Sequence, residues 1–304
     1  MHEQLPQELV NSLRDSLLSL LRYSVRLSRL REWWEKLLHV AGSAFLLWVY
    51  SGRGGIDAWG FALYVGGVLC LLLGGYAIND TADFSKDRLS GRDDGGPIPL
   101  RKHSLIVALT ALPAGILLLL AATSELLPRM IAAVTLLIGV EYSLRPLRFK
   151  ERGIWGVITG AATQRPALFA IFAAMLGVWN WLGTVLAVWL FCGGMLGMLG
   201  HQILDCHNDR TCGVRTFVAL HGPRSALRLC MAFAAAIGLT VIAPLAFVPA
   251  AEALPVVVLL ASLSSVYVGK GLRAWGNIRS EQIGSRREIM PPLANGEKSD
   301  GLEL

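Results

Sequence analysis

Two clusters of acidic residues have the types and spacing needed for metal and phosphate chemistry. Each cluster follows a run of apolar residues long enough to cross a membrane. A carboxylate beside a membrane segment loses hydration, so it is costly to place there and commonly has a function. Carboxylate oxygens bind divalent cations, and such cations bind phosphate oxygens. We therefore expect these clusters to hold cations and a phosphorylated ligand. The residues concerned are Asn79, Asp80, Asp83, Asp87, Asp205 and Asp209.

The spacing within both clusters favours helices that present the acids on one face. Asn79, Asp83 and Asp87 are four residues apart, as are Asp205 and Asp209, and residues four apart on a helix lie one above the other. Converging carboxylates repel one another unless they are neutralised. Since Mg²⁺ takes one or two carboxylates directly, two facing clusters fit more than one Mg²⁺ ion holding a diphosphate. A simpler alternative is pairing with bases nearby in sequence, namely Lys86, Arg88, Arg92 and Arg210.

The composition identifies a multi-pass integral membrane protein. The 304 residues are 54% hydrophobic and 16% charged, whereas a soluble domain is about 45–50% apolar and about 25% charged. Residues 1–30 lack the short apolar core and the small-residue cleavage site of a signal peptide. We expect membrane lipids as partners and no nucleic acid.

Apolar runs and flanking segments divide the chain into three parts. Residues 1–35 have leucines at helical spacing with arginines between them, which favours an amphipathic helix on the membrane surface or, alternatively, against a partner protein. Residues 36–275 form the membrane domain, and the polar residues 276–304 are predicted to be a disordered tail. The eight runs predicted to span the membrane are 37–52, 57–78, 104–122, 127–143, 154–177, 181–204, 225–248 and 252–269.

The distribution of basic residues predicts the orientation of these spans. If the N-terminus is cytosolic and the spans alternate, 25 of the 28 Lys and Arg residues lie in cytosolic segments. This asymmetry is the one that the positive-inside rule describes. It places both termini and both acidic clusters on the cytosolic side. Of the other three residues, Arg53 and Arg129 lie in segments on the opposite side of the membrane, and Arg165 lies within a span.

Arg165 is the most deeply placed charge in the predicted bundle. It lies inside the fifth run, roughly 18 Å from its start at about 1.5 Å per residue. An arginine at this depth should face the interior of the bundle or a wet cavity. One hypothesis is contact with a diphosphate or a polar acceptor, and the other is a buried ion pair, with Glu141 as a candidate partner. Pro166 permits a kink at this point.

The cysteines beside the second acidic cluster allow two interpretations. Cys206 and Cys212 flank His207 and suggest zinc, but zinc sites normally show paired and tighter spacings. The other interpretation is a pair of reduced thiols on the cytosolic side.

Three motifs resemble the signatures of the UbiA superfamily of intramembrane prenyltransferases. The segment Asn79-Asp80-x-x-Asp83-x-x-x-Asp87 is similar to its first signature. The residues 142–150, with the sequence YSLRPLRFK, are similar to the segment between the signatures. A third segment is similar to the second signature. It reads Asp205-x-x-x-Asp209-x-x-x-Gly213-x-x-Thr216 and is followed by Gly222.

The resemblance implies a helical bundle, usually of nine spans, around a central cavity that opens towards lipid. It implies an isoprenyl diphosphate donor bound through Mg²⁺ and a lipophilic, often aromatic, acceptor. The six residues of the acidic clusters would hold the metal, with Asp80, Asp83, Asp205 and Asp209 as catalytic residues. Lys150 would contact the diphosphate and Tyr142 would line the site. The residue chemistry adds Arg148 and Arg165 as candidate diphosphate contacts, since cations stabilise the charge on a leaving diphosphate.

Two other functions remain open. In a terpene cyclase of the same superfamily, the substrate's own double bonds would capture the cation without a separate acceptor. In a cation-coupled transporter, the acidic residues would carry ions, although such sites usually lie near the middle of the membrane.

Overall fold

The structure is a computed structural model that describes residues 30–52, 56–89 and 99–289. Regular structure in these ranges is helical apart from one isolated backbone bridge. The prediction of an all-α membrane protein is confirmed. Residues 1–29 of the predicted amphipathic segment and residues 290–304 of the predicted tail lie outside the described residues.

Eleven α-helices and two short 3-10 turns make up the described chain. In order they are α1 Leu30–Ser51, α2 Ala58–Leu89, α3 Pro99–Ala122, α4 Leu126–Ser143, the turn Phe149–Glu151, α5 Ile154–Gln164, α6 Pro166–Leu176, α7 Trp181–Leu204, α8 Cys206–Thr211, α9 Phe217–His221, α10 Pro223–Ile242, the turn Ala243–Ala246 and α11 Ala250–Ile289.

Seven helical segments of the described chain are long and apolar enough to cross a membrane. They correspond to every predicted apolar run except the first. That run lies within α1, which also carries Glu35 and Lys36 and is not among the seven. The total of eight spans therefore stays a prediction.

The fifth span is broken into two helices. The sequence predicts one run from 154 to 177, whereas α5 ends at Gln164 and α6 begins at Pro166. Arg165, between them, has φ −140° and ψ −76°, which is not helical. Proline lacks a backbone N–H and its ring clashes with the preceding turn, so the helix is interrupted before it. Arg165 thus becomes the N-cap residue of a new helix inside the bundle.

Helix α7 lies at the centre and packs against α1, α5, α10 and α11. The contact with α5 is close, because a Cβ atom on Gly194 would lie 2.9 Å from the carbonyl oxygen of Ala161. Small residues allow membrane helices to approach in this way. Trp189, Phe169 and Phe172 are fully buried around this centre, so they form the core of the bundle.

The last helix is longer than the sequence indicates. The polar tail is predicted to begin at residue 276, but α11 continues to Ile289. The first part of that predicted tail is therefore helical.

Candidate active site

The last turns of α2 carry the first acidic cluster. Asn79, Asp80 and Asp83 are half-buried, and Asn79 lies one turn before Asp83 on the same face. Ser143, the last residue of α4, donates its hydroxyl to Asn79 Oδ1 at 3.0 Å. Asp87 belongs to the same helix, and its side chain lies outside the described part of the chain. The predicted helical arrangement of this cluster is therefore present.

Two basic residues from the turn after α4 neutralise Asp83. Lys150 Nζ donates to Asp83 Oδ2 at 2.6 Å and to Asn79 Oδ1 at 2.9 Å. Arg148 Nη2 donates to Asp83 Oδ1 at 3.1 Å, and its guanidinium also pairs with Glu151 at 2.9 Å. Burial lowers the pKa of Lys150 from its usual value, and the negative charge of Asp83 opposes that effect. Both oxygens of Asp83 thus have a cationic partner.

Unusual backbone geometry places these two bases. Arg148 has φ +42° and Gly153 has φ +57°, and positive values favour glycine. Helix α5 starts directly against the turn, so that a Cβ atom on Gly156 would lie 2.7 Å from the carbonyl oxygen of Phe149 and 3.0 Å from Cα of Lys150. Glycine at position 156 is therefore required for Lys150 to reach the end of α2.

The second acidic cluster lies where α7 ends. Asp205 follows the last residue of α7, and the short helix α8 then carries Asp209, whose N–H donates to Asp205 O at 2.8 Å. The hydroxyl of Thr216 donates to Asp209 Oδ2 at 2.9 Å and accepts from the N–H of Ala219 at 3.3 Å, as the N-cap of α9. Thr216 thereby orients Asp209.

The backbone connects the two clusters. The N–H of Gly153 donates to Arg215 O at 3.2 Å, and Gly153 forms a parallel bridge with Thr216. The segment that carries Lys150 is thus bonded to the segment that orients Asp209. Both clusters consequently lie at the same end of the bundle, as the sequence predicts.

Tyr142, in the last turn of α4, lies within electrostatic range of both clusters. The charges of Asp83 and Asp209 both act on its phenol, which is also within electrostatic range of Tyr76. A Cβ atom on Gly160 would lie 3.1 Å from Cε2 of Tyr142, so α5 leaves room for the ring. Two aspartates separated by more than a hundred positions in sequence therefore act electrostatically on one side chain.

The oxygen donors of this site suit a hard divalent cation. In residues 30–52, 56–89 and 99–289, no three His, Cys, Asp or Glu side chains are grouped as a metal site. Such a group is not required, because Mg²⁺ typically uses one or two carboxylates together with water and substrate phosphates. Asp83 is held by Lys150 and Arg148, so a phosphorylated ligand that draws these bases towards itself would release a carboxylate for the metal. The donor set therefore fits Mg²⁺ bound together with a diphosphate.

A comparison with known protein families identifies the family of this chain. Residues 40–287 match the UbiA prenyltransferase family. The chain belongs to the UbiA prenyltransferase family. The match includes both acidic clusters and the turn between them, so the resemblance seen in the motifs is confirmed.

Relatives of known name and structure agree with membership of the UbiA family. A lycopene elongase/hydratase from Haloarcula japonica is 27% identical over 218 residues, which is 70% of this chain and 71% of the relative. Two structures of a UbiA homolog from Archaeoglobus fulgidus, one bound to DMAPP and Mg²⁺ and one to GPP and Mg²⁺, each have a TM-score of 0.59 and 17% identity, covering 82% of this chain and 98% of theirs. A digeranylgeranylglyceryl phosphate synthase structure has a TM-score of 0.53 and 16% identity, covering 85% of this chain and 94% of its own. At such identities these structures establish the shared UbiA fold.

Arg165 is buried in an ion pair within the UbiA bundle. It is 2% exposed, and its Nη2 lies 3.3 Å from Glu35 Oε1 on α1. Its Nη1 donates to Gly193 O at 3.4 Å, and its guanidinium lies 5.3 Å from the ring centroid of Tyr267. Glu141, the partner considered from the sequence, instead accepts a backbone hydrogen bond from the turn after α4. The contact of Arg165 with diphosphate stays a prediction.

The zinc alternative has no geometric support in the described chain. Cys206 is buried, and its thiol points at Val218 O at 3.8 Å. His207 is exposed and Cys212 is half-buried. All five cysteines are free thiols.

Three polar residues next to the site are absent from the site residues that the sequence predicts. Lys36, which the charge pattern assigns to a cytosolic flank, is 5% exposed and donates to Tyr76 Oη and to Gln164 Oε1. Tyr76 precedes Asn79 by three residues, and this helical spacing is a signal that points to it. No local signal indicates Lys36 or Gln164, because their contact depends on how three helices meet.

Proposed function

We propose that this protein transfers a prenyl group from an isoprenyl diphosphate to a lipophilic, electron-rich acceptor within the membrane, with Mg²⁺ as cofactor. The observation that carries the proposal is that the backbone joins the segments of both acidic clusters at one end of the bundle, where Lys150 and Arg148 both bond to Asp83. Membership of the UbiA family supports it, as do the UbiA homolog structures bound to DMAPP or GPP and Mg²⁺.

The diphosphate would bind between the two acidic clusters. Lys150 and Arg148 would move from Asp83 to the phosphate oxygens, since a diphosphate carries more negative charge than one carboxylate. When bound, Mg²⁺ neutralises negative charge on the diphosphate oxygens and so favours its departure. The residues proposed to hold the metal are Asn79, Asp80, Asp83, Asp87, Asp205 and Asp209.

The reaction would begin with cleavage of the bond between the prenyl carbon and the diphosphate oxygen. The diphosphate keeps the electron pair, and the prenyl group becomes an allylic cation. A double bond or an aromatic ring of the acceptor then forms a carbon–carbon bond with this cation and releases a proton. Lys150 and Arg148, which the turn after α4 holds near the site, would stabilise the charge on the leaving diphosphate.

The class of acceptor follows from the surroundings and from the relatives. The acceptor must reach a site inside an apolar bundle, so it is proposed to be lipophilic. An aromatic acceptor is the one that the motifs imply. The relative named as a lycopene elongase/hydratase supports a polyene acceptor as a second candidate.

The decisive experiment is an assay of the purified protein in lipid nanodiscs with Mg²⁺. A panel of allylic diphosphates of increasing length is supplied with a phenolic acceptor, with lycopene, or alone, and products are identified by mass. We expect a prenylated acceptor and released diphosphate. Terpene hydrocarbon or terpene alcohol formed from the diphosphate alone would instead indicate the cyclase alternative.

Variants of the two acidic clusters test the role of the metal. Asp83→Asn and Asp209→Asn should each lower the rate of diphosphate release at least ~100-fold, because each removes charge that positions the leaving group. Glu125→Gln is the matched control, since this exposed carboxylate lies between α3 and α4 at the other end of the bundle. Undiminished diphosphate release in Asp83→Ala or Asp209→Ala would contradict metal-assisted ionisation and favour the transporter alternative.

The orientation in the membrane is proposed from the charge pattern. Both clusters lie at one end of the bundle, and the positive-inside rule assigns that end and both termini to the cytosol. Labelling of a cysteine introduced at the exposed Glu125 in intact cells and in inverted vesicles checks the orientation. Labelling in intact cells only is expected.

A further inference from the structure

Lys36 joins three helices beside the proposed reaction chamber. Its side chain extends from α1 and donates hydrogen bonds to Tyr76 Oη on α2 and to Gln164 Oε1 at the end of α5. Lys36 itself is 5% exposed. Tyr76 and Gln164 are half-buried. The two acceptors are therefore more accessible than the ammonium that donates to them.

This polar group is adjacent to the diphosphate site. Tyr76 lies one helical turn before Asn79 on α2. Its phenol is also within electrostatic range of Tyr142, on which both acidic clusters act. Tyr76 is thus next to the place where the prenyl cation would form, and Gln164 is joined to Tyr76 through Lys36.

A second contact holds Lys36 in position. Glu35, the preceding residue on α1, pairs with Arg165 at 3.3 Å, and both of their side chains are almost fully buried. Gln164 directly precedes Arg165 at the break between α5 and α6. Two consecutive residues of α1 are therefore bonded to two consecutive residues at the helix break. This double contact sets the register of α1 against the chamber wall.

Polar groups in an apolar chamber attract water unless other partners occupy them. A buried hydroxyl or amide that loses its partner costs free energy, and a bound water molecule commonly restores the hydrogen bond. Water is also a competing nucleophile. Its oxygen would form a carbon–oxygen bond with the prenyl cation and release a proton to solvent, which converts the donor into a prenyl alcohol.

We propose that Lys36 keeps water away from the prenyl cation by occupying the hydrogen-bonding oxygens of Tyr76 and Gln164. Lys36 is thereby a specificity-determining residue. It sets the partition between capture of the cation by the acceptor and capture by water, without touching the substrate. This inference rests on the proposed prenyl transfer, because it concerns the fate of the cation which that reaction produces.

The test measures the ratio of prenyl alcohol to all other prenyl products, in nanodiscs with Mg²⁺ and a geranyl or longer allylic diphosphate. Lys36→Met removes the ammonium and keeps a side chain of similar length. We expect the ratio to rise about tenfold, because Tyr76 and Gln164 then lose this partner and recruit water. Oxygen-18 from labelled water in the alcohol identifies its source.

A triple variant separates water exclusion from a catalytic role. In Lys36→Met/Tyr76→Phe/Gln164→Leu all three polar groups are replaced by apolar groups of similar shape, which removes both partners of each of these two hydrogen bonds. The alcohol ratio should return to within about twofold of the original protein. Glu125→Gln serves as the control and should leave the ratio unchanged. If Lys36→Met is not recovered as folded protein, Lys36→Gln, whose shorter amide has no charge and cannot reach both oxygens as the ammonium does, replaces it and should also raise the ratio.

Three results would overturn the inference. An unchanged ratio in Lys36→Met, with a uniform loss of all products, would mean that Lys36 acts only on folding. A fall in the ratio would assign the group to delivery of water. A triple variant with a raised ratio would mean that Lys36 acts on the substrate directly. If the original protein turns over no prenyl diphosphate, the proposed function fails, and this inference fails with it.

Discussion

Lys150 Nζ lies 2.6 Å from Asp83 Oδ2, in an ion pair that joins the turn after α4 to the end of α2. The pair is largely removed from water, since the two side chains are 11% and 21% exposed. In the proposed reaction, an incoming diphosphate would compete with Asp83 for the same ammonium. The pair would then keep the first acidic cluster and its base together until a ligand separates them.

Loss of the Lys150 ammonium should weaken donor binding. A hydrogen bond to a charged group contributes about 1.5–3 kcal/mol, so Lys150→Met should raise KM for the diphosphate by about 10- to 100-fold. Lys150→Arg keeps the charge and should recover part of this loss. Steady-state kinetics at saturating acceptor measures both. Equal KM values for the original protein and Lys150→Met would show that Lys150 does not bind the donor.

The affinity for diphosphate should also decline at alkaline pH. Burial lowers the pKa of Lys150 below the ordinary value of 10.5. The protonated form binds the diphosphate, so affinity is complete below this lowered pKa and declines as pH rises through it. Because arginine stays protonated to about pH 12 or above, Lys150→Arg should move the decline to higher pH. Identical pH profiles for the two proteins, measured as KM against pH, would assign the decline to another group.

The hydroxyl of Thr216 should affect catalytic activity because it positions Asp209. Thr216→Val keeps the shape but removes both the hydrogen bond to Asp209 and the N-cap of α9, a cap being typically worth about 0.5–2 kcal/mol. We expect kcat/KM to fall roughly tenfold and the melting temperature to fall slightly. Thr216→Ser retains the hydroxyl and should stay near the original values. Equal activities of the Ser and Val variants would rule out this positioning role.

Gly156 should tolerate no side chain. A Cβ atom there meets backbone atoms of Phe149 and Lys150 at 2.7 Å and 3.0 Å, and such overpacking typically costs about 1–3 kcal/mol. Gly156→Ala should lower the melting temperature and raise KM for the diphosphate, because the turn that carries Lys150 must move. Gly139→Ala is the matched control, since a Cβ at that position on α4 meets nothing within 4 Å. Equal effects of the two substitutions would contradict the proposed close approach.

Variants of the ion pair between Glu35 and Arg165 should show whether Arg165 also contacts the diphosphate. Removing one partner of a buried pair typically costs about 3–5 kcal/mol, so Glu35→Gln should strongly lower the melting temperature. Replacing both residues by methionine should cost much less, because no buried charge is left alone. The diphosphate affinity of this double variant then tests the predicted substrate contact. Unchanged affinity would leave Arg165 a purely structural residue, whereas a loss beyond tenfold would confirm the contact.

The lengths of the apolar runs predict the membrane-spanning helices well, because the bilayer sets a minimum length for each. Seven of the predicted runs coincide with spans of the described chain. The first run behaves differently. Its flanking Glu35 and Lys36 have the charge pattern of a cytosolic boundary, yet both side chains are buried. Charge alone cannot distinguish a residue that faces water from one that finds a partner inside the bundle.

The sequence also indicates which residues belong to the candidate site, but it does not show which of their side chains contact one another. The spacing of Asn79 and Asp83 predicts a common helical face because helical geometry is local. Arg148 and Lys150 are identified as candidate bases, although only the fold shows that both reach Asp83. The role of Gly156 depends on the closeness of α5 to the turn, which a single glycine in a sequence does not reveal.

The sequence by itself determined the helical membrane class and the UbiA family, and it predicts the acidic residues of the proposed site, because apolar length and motif spacing are local properties of the chain. Only the tertiary structure decided that Lys150 pairs with Asp83, that Arg165 pairs with Glu35 and that Lys36 bonds to Tyr76 and Gln164. These partners are distant in sequence, and the packing of helices against one another is what brings their charged groups within hydrogen-bonding distance.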